Sequence, residues 1–398
     1  MALKILILTP RIPYPLRDGG SIAMNQSIKS YIDQGCEVSL LSMNTSRHWV
    51  EESDLPETYA KLITFKTVYV KTNVNPLSAF LNLFTDKSYN VARFINKEFE
   101  KEFEKILRAE NYDIIQFESI YTSPYLKTAR NLSEAKCVCR VHNIEYLIWQ
   151  RLSEHESSFL KRTYLNLLTS RLKNYEIEVL RKFDLLLPIS KKEEDYFIET
   201  QLNKCYYLPF GIDLKREIPN VEQEVNSCYH IGSMDWAPNV EGVQWFLNNV
   251  WNEVQPELPN ITLYLAGKNM PPSIRSKEKN NLHVIGEVDD VMQFSLEKNI
   301  MIVPLLSGAG IRIKIIEAML LGKTIISTSI GEEGIGATDK VNILIANTAD
   351  EFISALKFCF QHTDDARKIG LNAQEFVRSQ YRLDQIYTKL IEHFNLMK

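Results

Sequence analysis

Short apolar runs rich in β-branched residues recur along this chain, each followed by a segment whose apolar residues fall near helical spacing. The first, KILILT (4–9), leads through the pair Gly19–Gly20 into SIAMNQSIKSYIDQG, where Gly35 supplies a stop, and then into the β-rich CEVSLLS. A run without polar alternation suits a strand covered on both faces, the usual situation in a parallel sheet. A strand–loop–helix–strand unit of this kind builds parallel sheets.

The pattern continues. YDIIQFES (112–119), KCVCRVHN (136–143) and FDLLLPIS (183–190) read as buried strands, with a long helical stretch at roughly 144–182 between the last two. After LPFGIDL (208–214) and the polar stretch 215–226, a second series begins. It runs CYHIGSM, a helical VEGVQWFLNNVWNEV, ITLYLAG, NLHVIG, NIMIVPLL, a helix around 313–321 and KTIISTS, and ends in three helical segments. Two such series joined near residue 214 predict an α/β chain of two Rossmann-like domains. The 398 residues suit that number of domains. No repeat of 20–50 residues and no low-complexity tract interrupts them.

Composition narrows the function. Lys plus Arg number 46 against 50 Asp plus Glu, a net charge of −4, which argues against coating nucleic acid. Hydrophobic residues at 45% exclude disorder as the main theme. Six cysteines are scattered, with a C-x-C closest pair and no His at finger spacing, so free thiols in a reducing compartment are expected. The N-terminal apolar run is too short for a secretory signal, and no run approaches the ~18 apolar residues that span a bilayer. A cytoplasmic protein is expected.

Ligands in open parallel sheets bind beyond the C-terminal ends of the strands. That rule selects the Gly19–Gly20 loop, His142–Asn143, the region after Gly232, and SGAG at 307–310. The segment 300–328 is the most informative of these. A strand enters a loop of small residues, Gly308 and Gly310 among them, then a helix that Gly322 stops. Such a turn lets backbone N–H groups approach a phosphate, with the positive helix end behind them. Arg312 and Lys314 stand at that helix start, where cations oppose the dipole unless an anion compensates. Glu118 and Glu145 read equally as acceptor-facing groups or surface carboxylates. No G-x-G-x-x-G follows any strand, which argues against a dinucleotide dehydrogenase.

Taken in order, PRIPYPLRDGGSIAMNQ (10–26), VHN (141–143), PISKKEEDYF (188–197), LPFGID (208–213), IGSMDWAPNVEGVQWF (231–246), LYLAGKN (263–269), HVIGEVDDV (283–291) and the 300–328 segment resemble the retaining GT-B glycosyltransferases of the group one family, family four. The resemblance implies an acceptor-side domain at 1–213 facing a nucleotide-sugar domain at 214–380 across a cleft. It also implies a terminal helix, 381–398, that returns to the first domain. It implies that Gly19 and Gly20 approach the donor phosphates, that His142 lies by the donor sugar, and that Glu317 holds the ribose hydroxyls as the second member of an E-x7-E pair. The first member falls on Ala309, a departure. A second departure is that GSMDWAPN lacks the Arg and Lys that often neutralise the diphosphate from that loop, while Arg312 and Lys314 stand where many relatives have Gly and Pro. Cationic charge has moved between loops, on this reading, and Arg312, Lys314 and His142 carry the chemistry.

The family's reaction keeps the anomeric configuration and usually needs neither metal nor cofactor. The donor would be a nucleotide-diphosphate sugar such as a UDP- or GDP-sugar, and the acceptor a glycan or lipid-linked sugar of a surface polysaccharide. A nucleotide-sugar epimerase of similar architecture and a sugar-nucleotide-binding protein without catalysis are the alternatives. The stretch 157–182 has six basic and two acidic residues. It reads as a peripheral contact with the inner face of an anionic membrane, or as a packed helix with a solvated basic face.

Overall fold

A computed structural model describes residues 2–16, 19–73, 75, 81–82, 85, 87–154, 156–202, 204–214, 218–279, 281–308 and 310–398. They form two units, Met1–Phe210 with Leu383–Lys398, and Gly211–Arg382.

The first unit holds a six-stranded parallel sheet in the order β3-β2-β1-β4-β5-β6. Its strands are β1 (Lys4–Thr9), β2 (Glu37–Thr45), β3 (Thr64–Val70), β4 (Ile114–Glu118), β5 (Lys136–Val141) and β6 (Leu185–Pro188). Alternate side chains of β1 enter different cores, as a period of two requires. Leu6 and Leu8 pack with Leu41, Phe117 and Cys139 on one face, and Ile5 and Ile7 pack with Leu40, Ile114 and Val138 on the other. Burial on both faces explains why the run is apolar throughout. The helices that cover the sheet include α1 (Gly19–Asp33), α2 (Tyr89–Ala92), α3 (Lys97–Ala109), α4 (Leu126–Leu132), α5 (Glu145–Glu154), α6 (Phe159–Leu180) and α7 (Lys191–Glu199). Gly35 ends the first of these at φ +80°. Asn96 caps α3 by accepting from the N–H groups of Glu98 and Phe99.

The second unit repeats the topology, with order β12-β11-β10-β7-β8-β9 and every pair parallel. Its strands are β7 (Glu224–Ile231), β8 (Thr262–Ala266), β9 (Leu282–Gly286), β10 (Lys298–Val303), β11 (Thr324–Ser327) and β12 (Leu344–Ile345). Strand β7 begins inside the stretch expected to be a polar link. Its first residue accepts from the Tyr264 hydroxyl at 2.8 Å and from Lys298 Nζ at 2.9 Å, so a carboxylate starts the strand with its bonds made. Helices α8 (Ala237–Phe246), α9 (Val291–Glu297), α10 (Ile313–Leu320), α11 (Ala349–Gln361) and α12 (Thr363–Gln380) accompany the sheet. A π turn at Leu247–Trp251 extends α8. The last helix, α13 (Leu383–Met397), places Tyr387, Leu390 and Phe394 in the core of the first unit beside Tyr31. Among the described residues no helix is long and apolar enough to cross a membrane.

Candidate functional site

In each sheet the strand order reverses at one place, between β1 and β4 and between β7 and β10. Crevices beyond the C-terminal ends of those strands are where such sheets bind ligands. The predicted residues stand there in two groups, one in each unit.

In the first unit a cavity of about 270 Å³ is lined by Gly20, Glu118, His142, Glu145 and Tyr121, among others. Gly20 lies in the first turn of α1, just past β1, and Gly19 opens the same helix in an exposed position. His142 follows β5, and its Nε2 is 2.6 Å from Glu118 Oε2 at the end of the neighbouring β4. Burial pushes the Glu118 carboxyl up, yet His142, the Arg140 charge and Gln116 together hold it below the ordinary value. A carboxylate can only accept, so Nε2 carries the proton and Nδ1 is the nitrogen left for a ligand. Gln116 Nε2 donates to the other Glu118 oxygen at 2.6 Å, and Tyr31 donates to Gln116 at 2.6 Å. Beneath them Arg140, 1% exposed, donates to the Ala23 carbonyl and to Ser27 Oγ, which bonds Tyr387 of α13 at 2.8 Å. The histidine therefore rests on a buried network in which Arg140 bonds through Nη1, while its Nε has no hydrogen-bond partner.

Glu145 begins α5 and accepts from the Tyr121 hydroxyl at 2.8 Å. Burial raises its pKa. Glu176, the interior acid of α6, accepts from the N–H groups of Glu145 and Tyr146 at 3.0 Å and so caps α5. Part of the acidic content of 157–182 is structural for that reason. The basic residues remain outside: Lys161, Arg162, Lys173, Arg181 and Lys182 are exposed.

In the second unit the loop after β10 carries Gly308 at φ +124° and Gly310 at φ +86°. A Cβ on Gly308 would lie 2.8 Å from the Trp236 ring and 3.0 Å from Arg312 Nη2, so both the backbone angle and the space require glycine. Arg312 is the residue just before α10, nearly buried, with its guanidinium 5.1 Å from the Trp236 ring centroid and a bond to the Gly310 carbonyl. Lys314 reaches back to β7. Its Nζ donates at 3.1 Å to the carbonyl of Ile231, the last residue of that strand, and to Asn239 Oδ1 at 3.1 Å. The residue is partly accessible, but its ammonium is enclosed, and burial with Arg312 nearby lowers its pKa to about 7. The adjoining strand ends are pinned together, because a Cβ on Gly267 (φ +145°) would fall 1.8 Å from the Gly232 carbonyl oxygen. Glu317 is exposed on α10. Ala309 lies outside the described residues.

The structure thus joins Gly308, Gly310, Arg312 and Lys314 in one group and Gly20 and His142 in another. Trp236, in the loop after Gly232, and Asn239, in the first turn of α8, carry no local signal in the sequence, because their partners are about 75 residues away in the chain. Glu118 is buried rather than a surface carboxylate, and only the β4–β5 register brings it to His142.

Residues 226–362 match the family described as Glycosyl transferases group 1. An uncharacterised 44.6 kDa protein of the cps region of Klebsiella pneumoniae is 25% identical over 98% of this chain and 99% of its own. The fold is similar to that of sucrose-phosphate synthase from Thermosynechococcus elongatus, with TM-score 0.71 and 14% identity over 99% of both chains. It is also similar to Anabaena HepE in complex with UDP, with TM-score 0.65 and 14% identity over 99% of this chain and 100% of that one.

Proposed function

We propose that this chain, a group 1 glycosyltransferase of GT-B fold, transfers a sugar from a nucleotide-diphosphate sugar to a glycan or lipid-linked acceptor with retention of configuration. The observation that carries this reading is the pair Arg312 and Lys314 beside the Gly308–Gly310 loop, with Lys314 Nζ delivered to the end of β7. Two cations at a helix start, next to a loop that needs glycine, suit a diphosphate. That position also supports the exchange of charge between loops: the loop after β7 has no cation of its own and receives one from α10. The cps-region relative and the UDP held by HepE agree with a nucleotide-sugar donor and a surface-polysaccharide product.

In the reaction, the bond from the anomeric carbon to the phosphate oxygen breaks on the face where the acceptor oxygen bonds. The acceptor proton passes to the departing phosphate. Arg312 and Lys314 hold the charge that develops on the diphosphate, contacts that strengthen in the transition state. Glu317 takes the ribose hydroxyls, and Gly19 and Gly20 leave room for the phosphates. His142, fixed by Glu118, presents Nδ1 to the sugar. With the leaving group neutralised by side chains, no metal or cofactor is required, and activity should survive EDTA. Titration of UDP into the Arg312→Ala protein should show affinity weakened tenfold or more, and unchanged affinity overturns the assignment. Proton NMR of the first-formed product reads its configuration, and inversion refutes retention.

The tip of the α5–α6 hairpin supports work at a bilayer. Phe159 is 75% and Leu160 79% exposed, with Leu152 also exposed, beside Arg151, Lys161 and Arg162. Apolar side chains within a basic surround suit the interface of an anionic bilayer. Flotation with phosphatidylglycerol vesicles should carry the protein, and Phe159→Asp with Leu160→Asp should release it.

A further inference from the structure

The transfer just described does not use most of the cavity in the first unit. Beyond Gly20 and His142, that cavity is lined by Arg11 after β1, Arg47 and His48 after β2, and Arg93 after α2. Its two carboxylates are engaged, Glu118 with His142 and Gln116, and Glu145 with Tyr121. Among the described residues neither Arg47 nor Arg93 has a carboxylate within 4.0 Å. Arg93 Nη1 donates to the Thr72 carbonyl at 3.1 Å, and its guanidinium lies 5.7 Å from the Tyr89 ring centroid. Its buried Nε has no hydrogen-bond partner. Its guanidinium lines the cavity with no carboxylate among the described residues to balance its charge, which suits an anion held there. Arg47 is exposed and Arg93 half-buried, and both line the same cavity.

We propose that this cavity recognises its acceptor by an anionic substituent, a phosphate or a carboxylate, held by Arg93 and Arg47. The proposal rests on the reading of the chain as a glycosyltransferase whose first unit receives the acceptor. Guanidinium groups suit such oxygens because their paired N–H groups match them two at a time. About 270 Å³ accommodates a sugar ring with one small charged group and little more. The acceptor end is therefore a phosphorylated sugar, an acidic sugar, or a sugar next to a lipid-borne phosphate, and a neutral glycan end is a poor fit.

The test uses the full chain saturated with UDP, titrated with glucose, glucose 6-phosphate and glucuronate, and separately with vesicles containing phosphatidic acid. At least one anionic ligand should bind tenfold or more tighter than glucose. The Arg93→Gln and Arg47→Gln proteins should lose that preference while UDP affinity stays within twofold. Phosphate sugar, acid sugar and vesicle distinguish the source of the anion. The proposal is overturned if no anionic ligand outbinds glucose, or if the preference survives both substitutions. It is also overturned if the arginine variants weaken UDP tenfold, since the arginines would then serve the donor. Arg47 is exposed, so its variant should fold even if the Arg93 variant does not. If neither UDP nor GDP binds, the glycosyltransferase reading falls, and the same titrations without nucleotide still read the anion preference.

Discussion

In the first unit each buried charge nearest the sheet feels an opposite one, Glu118 by its bond to His142 and Arg140 by the charge of Glu118 on the neighbouring strand. Glu118 accepts from His142 and Gln116, and Arg140 donates to Ala23 and Ser27, with Tyr31 and Tyr387 close by. In the second unit, at the equivalent switch in strand order, Lys314 donates to the neutral acceptors Ile231 and Asn239, and the charge that acts on it is the like charge of Arg312. The same topology therefore carries charge in two ways. One sheet uses it to hold a histidine still, and the other keeps it under tension for an anion to relieve.

The difference predicts opposite stability effects. Glu118→Ala should give the largest change, a loss of about 3–5 kcal/mol, because it removes the buried partner of His142 and Gln116 and the opposite charge that Arg140 feels. A melting temperature near the wild-type value would show that Arg140 does not depend on Glu118. Lys314→Met should instead stabilise the ligand-free protein, by about 1–3 kcal/mol at pH 7, while weakening UDP tenfold or more. Its sign follows from linkage. With a folded pKa near 7 against an ordinary 10.5, the folded state binds fewer protons across that window, so the native lysine disfavours folding at lower pH and stability recovers as pH rises. A Lys314→Met protein that melts lower than wild type would erase the contrast between the units. Gly308→Ala comes next, at about 1–2 kcal/mol, since a side chain at positive φ also meets Trp236 and Arg312. Calorimetric melting and UDP titration on one sample separate its effect on fold from its effect on the site.

How far these features are legible in the sequence depends on what each one obeys. Strands β1, β4, β5 and β6 are apolar runs because helices cover both faces of them. Strand β3 escapes notice because it is an edge strand in which only Val70 is buried, and β12 because it has two residues. The start of β7 is hidden by a carboxylate whose partners come from β8 and β10. At the site, Arg312 and Lys314 stand out locally, as cations at the wrong end of a helix. The Glu118–His142 bond and the stacking of Trp236 on Arg312 depend on strand register and loop return, which no local pattern encodes. Arg47 and Arg93 look like surface residues until β2 and α2 bring them to one cavity.

The smallest effect is also the most direct measure of the tension in the second unit. A diphosphate beside Lys314 should return its pKa toward 10.5, so binding takes up a proton when the free ammonium, with pKa about 7, is partly neutral. Affinity for UDP is then full below pH 7 and declines as pH rises. The fall is about fivefold between pH 7 and 8, roughly 1 kcal/mol, and continues until the bound-state pKa is reached. Titrations at pH 8 in two buffers of different ionisation enthalpy should report uptake of most of one proton. In the Lys314→Met protein both the slope and the uptake should vanish. A wild-type affinity that is flat from pH 6 to 9 would mean that Lys314 is already charged without a ligand, and the second unit would then hold its cation as comfortably as the first holds Arg140.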